Sequence, residues 1–231
     1  LYLFHANKEG ECLVKIAQIE NDQKNFLKEA YILTQLNTMC LPFYSPKIIS
    51  YQSKINYTFI ETALLPSCYI LNRKKRKLPN KFFEEIRNIS SINTIVDFDR
   101  DANLSSLNQT DLIISNEDEK LESINACYFA HGDLGSENLF ENKTDSRYPK
   151  YALIDWEHAS ACAPKCTDEI GYWLGQNHKR IKRRGFKSEI FLQELSKEMY
   201  SRNYKYDDIM LALQHLENTG IDLARLISKN I

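Results

Sequence analysis

Two neighbouring stretches constrain this chain most: HGDLGSENLF, residues 131–140, and YALIDWE, residues 151–157. Each sets charged or amide side chains against apolar runs too short to be helices. Residues 138–156 read as a hairpin, two apolar arms around the polar tip ENKTDSRYPK. A hairpin places Asp155, at the end of YALI, opposite Asn138 at the base of the first arm. His131, Asp133 and Asn138 form the pattern H-x-D-x-x-x-x-N on one tight loop. The tip is then a spacer whose length is free to vary.

The rest of the chain supplies a frame for this hairpin. LYLFHANKEGECLVKIA (1–17) reads as two strands joined by a turn at Gly10. NDQKNFLKEAYILTQLNTM (21–39) carries Phe26, Ala30, Leu33 and Leu36 near helical spacing, with Asn21 or Asp22 as its cap. Two prolines end that helix. A strand follows within CLPFYSPKIISYQ, and INYTFIETAL (55–64) is another, rich in β-branched and aromatic residues. After Leu65 helices dominate: one within 73–92, a weaker one over 111–126, and three near 168–180, 187–202 and 206–228. The expectation is an α+β chain of two lobes. A small β-rich lobe covers 1–64, a hinge lies near 60–66, and a mostly helical lobe covers 65–231.

This loop and hairpin match what phosphoryl transfer requires. An aspartate on such a loop accepts the proton of an attacking hydroxyl, and an asparagine five residues later turns back to a metal ion. Asp133 is the candidate base. Asn138 and Asp155 are candidate Mg²⁺ ligands, since hard oxygen donors suit that ion. The same chemistry needs a lysine on a strand of the small lobe to hold the nucleotide phosphates. CLVKIA supplies Lys15 between apolar neighbours, and Glu29 on the next helix is placed to orient it. TFIETAL, at the lobe boundary, offers backbone groups to an adenine ring, with Glu61 at its polar edge.

In order along the chain, VKIA, KEAYILTQL, FIET, HGDLGSENLF and ALIDWE resemble the aminoglycoside phosphotransferase and choline kinase superfamily of small-molecule kinases. The resemblance runs from about Leu1 to Asp168. It implies a protein-kinase-like fold with ATP and Mg²⁺ between the lobes. It implies Asp133 as catalytic base, Asn138 and Asp155 as metal ligands, Lys15 as phosphate clamp and Glu29 as its partner. Asp168 matches the aspartate that braces the catalytic loop in that family, and His131 matches a residue that packs to hold it. Tyr172 and Trp173 follow on a helix that often lines the acceptor pocket there, although at helical spacing they also suit a core. Glu157 is either a support for the metal site or a contact for a cationic substrate.

Two departures from protein kinases are informative. Gly132 stands where those enzymes carry an arginine that reads a phosphorylated activation loop. DWE replaces their D-F-G, and about a dozen residues separate Asp155 from Asp168, which leaves little room for a regulatory loop. Against the small-molecule kinases, the resemblance implies a first strand and a phosphate-covering loop ahead of the strand at Leu1, and the expectation is that the given residues begin after them.

Composition narrows the alternatives. The net charge of −1 gives no general drive toward nucleic acid or an anionic membrane, and no apolar run is long enough to cross a bilayer. The basic runs RKKRK (73–77) and KRIKRR (179–184) read as solvated faces, with attraction of an anionic substrate as the milder functional alternative. The six cysteines form no CxxC pair, which favours reduced thiols and a cytoplasmic protein. The resulting expectation is an ATP- and Mg²⁺-dependent kinase acting on a hydroxyl of a small molecule such as an amino alcohol, sugar or aminoglycoside. The rival is a non-catalytic binding or scaffold protein that keeps the fold.

Overall fold

The computed structural model describes residues 2–7, 10–71, 77–89, 128–184 and 188–218. The N-terminal part is a four-stranded antiparallel sheet. Its strands are β1 (Tyr2–Asn7), β2 (Gly10–Ala17), β3 (Ile48–Lys54) and β4 (Tyr57–Ala63), in the order β1-β2-β4-β3. The helix α1 (Glu20–Leu36) lies between β2 and β3 in sequence. Its Phe26 and Ala30, four residues apart, pack on Ala17 and Ile60 of the sheet. One turn further on, Ile32, Leu33 and Leu36 enter a second cluster with Leu134, Leu139, Leu153 and Trp156. One helix therefore bridges sheet and hairpin, because its apolar stripe is long enough to serve two partners. Its N-cap is Ile19, with no side-chain cap, so the expected Asn21 or Asp22 cap is wrong. The helix begins at Glu20, and both residues lie within its first turn.

The second part is built on short strands and helices. β5 (Tyr69–Leu71), β7 (Leu139–Asn142) and β8 (Tyr151–Leu153) form one sheet in the order β5-β7-β8. β6 (Tyr128–Ala130) pairs with β9 (Ser160–Ala163) in another. These two sheets flank the loop 131–138 on both sides. Tyr44, after α1, gives its backbone N–H to Tyr151 and accepts from Leu153, which ties the first part to β8.

The helices are α2 (Asn80–Arg87), α3 (Thr167–Arg184), α4 (Ser188–Tyr200) and α5 (Tyr206–Asn218). Phe82, Phe83 and Ile86 of α2 are buried, and each such side chain contributes roughly 1.5–3 kcal/mol. The last three helices share their own core, which includes Ile170, Leu174, Phe191, Leu195, Ile209 and Leu216. The helix expected over 73–92 is confined, among the described residues, to α2. The candidate over 111–126 lies outside the described residues.

No helix among the described residues is long and apolar enough to cross a membrane. Cys12, Cys40, Cys68 and Cys166 are outside any disulfide, whereas Cys162 is disulfide-bonded. The expectation of reduced thiols fails at that residue, because pairing depends on which segments the fold brings together and not on their spacing in sequence.

Candidate active site

The hairpin brings Asn138 and Asp155 together. Leu139 pairs with Leu153, and the Asn138 carbonyl accepts the Ile154 N–H at 3.1 Å. Asp155 follows directly, with φ 66° and ψ 63°, a left-handed conformation that is uncommon outside glycine. That bend turns its carboxylate back toward the sheet. Lys15 Nζ lies 2.6 Å from Asp155 Oδ1 and 2.8 and 2.7 Å from the two oxygens of Glu29. Lys15 and Glu29 are only 6% and 2% exposed, so two charges are held out of water by being paired. Burial works against the lysine's charge, but the two carboxylates override it and push its pKa well up. Glu29, Asp155 and Glu157 each place a carboxylate oxygen within 4.8 Å of the others.

The loop is fixed from behind. Asp168, in the first turn of α3, accepts the backbone N–H of His131 at 2.9 Å and of Gly132 at 3.0 Å. It is fully enclosed, and burial pushes its carboxyl up to about 7 against the pull of those two N–H groups. His131 is fully buried, and its Nε2–H donates to the Ile154 carbonyl at 2.9 Å. Its ring lies 4.4 Å from that of Trp156, which in turn stacks near Phe43 and Phe129. Burial lowers the His131 pKa to about 4, and its Nδ1 has no hydrogen-bond partner, so the ring is neutral at pH 7.

In front of this support, the Asn138 amide donates to Asp133, to its carbonyl at 2.9 Å and to Oδ2 at 3.2 Å. That leaves Asn138 Oδ1 for a cation. Asp133 is half-buried, and burial raises its pKa. The arrangement brings together the Asp133 carboxylate, two oxygen donors of a kind Mg²⁺ accepts, and a buried lysine paired with carboxylates. The described residues form an α+β fold.

Solved structures similar to this chain include an aminoglycoside 3'-phosphotransferase of type VIII, at 14% identity and a TM-score of 0.49. That match covers 94% of this chain and 93% of the other. A GDP complex of a variant aminoglycoside 2'-phosphotransferase of type IIIa matches at 12% identity and a TM-score of 0.44, covering 90% of this chain and 84% of that one. A GDP and kanamycin complex of APH(2'')-IIIa matches at 11% identity and 0.45, covering 90% and 86%. No family model and no curated protein sequence matches the chain.

Three expected residues stand apart from this cluster. Glu61 pairs with Val14, so its side chain is on the opposite face of the sheet from Lys15, which pairs with Ile60. Its carboxylate accepts from Ser50 at 2.8 Å and Cys12 at 3.1 Å. Tyr172 is 4% exposed and packs on Phe83, and Trp173 packs on Phe191. Both line a cavity of about 220 Å³ in the helical part, alongside Lys77, Glu169, Glu198 and Arg202. In the basic runs, Lys77 is paired with Glu198 and Arg180 with Glu194, both within the helical part.

His158, not among the expected residues, also borders the loop. It lies 3.3 Å from Glu157 through Nε2, and its backbone rests on Gly132. The signal was its place directly after DWE, where the chain must fold back against the loop.

Proposed function

We propose that this protein is an ATP- and Mg²⁺-dependent phosphotransferase acting on a hydroxyl of a small molecule, such as an amino alcohol, a sugar or an aminoglycoside-like compound. The observation that carries this reading is the ion pair of Lys15 with Asp155, 140 residues apart, beside an Asp133 already bonded to Asn138. Folding alone does not require a buried lysine, two carboxylates and an amide to converge at one place.

In this reading Lys15, oriented by Glu29, holds the nucleotide phosphates. Asn138 Oδ1 and Asp155 are the groups that hold the metal ion. When bound, that ion neutralises charge on the phosphates. Asp133 takes the proton of the acceptor hydroxyl as its oxygen bonds to the γ-phosphorus and the bond to the nucleoside diphosphate breaks. Asp168 and His131 keep the loop in place, so the base does not have to be positioned during the reaction.

The test is a screen of amino alcohols, sugars and aminoglycosides for ATP consumption, with the phosphorylated product identified by mass. An active acceptor supports the reading. Asp133→Asn should then lower kcat by about 10²–10⁴-fold while nucleotide binding is kept. Wild-type turnover in that variant refutes the base assignment. Absence of any Mg²⁺-dependent ATP binding refutes the kinase reading as a whole.

A further inference from the structure

The helix α3 sends neighbouring residues to two different places. Asp168 faces the loop and accepts the His131 and Gly132 N–H groups. Gly171 and Gly175, further along that face, lie against the backbone of Leu134, Gly135 and Ser136. Glu169, Trp173 and Gln176 stand about a third of a turn away and line the cavity of about 220 Å³ instead. Lys15, Glu29, Asp133, Asn138 and Asp155 have no part in its lining.

The cavity wall holds a buried acceptor without a donor. Glu169 is only 3% exposed. Its Oε1 accepts from both the Arg87 guanidinium and the Tyr204 hydroxyl, whereas its Oε2 is buried with no hydrogen-bond partner among the described residues. An unmatched buried oxygen costs stability, so a donor brought to it is favoured. Arg87 already balances the charge of this carboxylate, so a neutral donor such as a hydroxyl suffices.

The opposite side of the cavity is basic. Glu198 is paired with both Lys77 and Arg202, which leaves one positive charge in excess. Arg202 is held in place by Asn80 and the Leu78 carbonyl, and Lys77 stands at the solvent edge. Trp173 and Met199 add apolar surface. An apolar wall with a few fixed polar groups suits a small organic molecule.

We propose that this cavity is a second binding site, for a small organic anion that also carries a hydroxyl. The hydroxyl donates to Glu169 Oε2, the anionic group meets Lys77 and Arg202, and the body of the molecule lies along Trp173. A hydroxy-carboxylate and a sugar phosphate share this chemistry. The site does not rest on the phosphotransfer reading, because it uses neither nucleotide nor Asp133.

Trp173 is a reporter for the test. The other of the two tryptophans, Trp156, is fully buried beside His131. Tryptophan fluorescence and ligand-observed NMR follow titration of the protein, without nucleotide, with 4-hydroxyphenylacetate as the carboxylate probe and glucose 6-phosphate as the phosphate probe. Phenylacetate lacks the hydroxyl of the first, and glucose lacks the anion of the second. At least one hydroxylated anion should bind, about tenfold or more tighter than its stripped analogue. Glu169→Gln, which turns a donor toward the hydroxyl, should weaken that binding by a similar factor. Lys77→Glu reverses the charge of an exposed residue, so it keeps the fold even where Glu169→Gln does not, and it should weaken binding about tenfold or more as well. No binding of either hydroxylated anion, equal binding of the stripped analogues, or unchanged binding in Lys77→Glu overturns the proposal. So does Asp133-dependent phosphorylation of the bound compound, which would make the cavity the acceptor pocket and not a second site. A failed acceptor screen alongside specific binding counts against the kinase reading and supports the second site.

Discussion

At the scale of single residues, Gly132 shows how tightly the site is determined. Its backbone is left-handed, and the His158 carbonyl stands where a side chain would begin. Backbone cannot move aside as the end of a flexible side chain can. Gly132→Ala should therefore cost about 3 kcal/mol or more of stability, combining left-handed strain with overpacking. Denaturant unfolding of the two proteins measures it, and a difference below about 1 kcal/mol would mean the contact is not as close as described. The sequence marked Gly132 as a departure from protein kinases. It could not show the steric reason, since His158 is 26 positions away along the chain and meets it only in the folded state.

At the scale of elements, the site is a joint between a loop and a hairpin, and His131 is part of the joint through Ile154. The folded state refuses a proton at His131 until about pH 4, whereas the unfolded chain accepts it near 6.5. The unfolded state thus binds more protons between those values. The stabilisation from keeping this ring neutral is complete above pH 6.5 and is lost as pH falls toward 4. His131→Gln removes the titration. The stability of the wild type relative to this variant should fall by about 3 kcal/mol over that window. Asp168 has the opposite dependence, but it is present in both proteins and cancels in the difference. Equal pH profiles for the two proteins would disprove the buried neutral ring.

The elements differ in how legible they were. The order strand, strand, helix, strand, strand and the hairpin of β7 and β8 could be read from periodicity and turn chemistry. β5, β6 and β9 could not, because three or four residues show no alternation to read. The helical cap at residues 21 and 22 was misplaced because packing, not capping chemistry, sets where α1 begins.

At the scale of the whole molecule, Lys15 and Glu29 come from the sheet and its helix, and Asp155 from the hairpin, so the two parts are held together by one ion-pair network. A Mg²⁺–nucleotide bound there would stabilise the native state in proportion to its occupancy, by about 2.7 kcal/mol at a hundredfold excess over Kd. Thermal unfolding should show a rise with ATP and Mg²⁺ together. Asp155→Asn, which tolerates the left-handed backbone, should abolish the part that depends on Mg²⁺. A full rise in that variant would exclude Asp155 as a metal ligand.

The sequence by itself determined the identity and order of the polar groups: a lysine, a glutamate, an aspartate and an asparagine on one loop, and an aspartate after it. It also determined their local setting, because hairpins and helices are encoded by short-range pattern. Only the tertiary structure decided which of them meet. It placed Lys15 against Asp155, turned Glu61 to the other face, put Tyr172 and Trp173 along a separate cavity and set His158 on Gly132. The reason is physical. Side-chain direction follows from register and packing between distant segments, and a shift of one residue in a strand reverses the face on which a group stands.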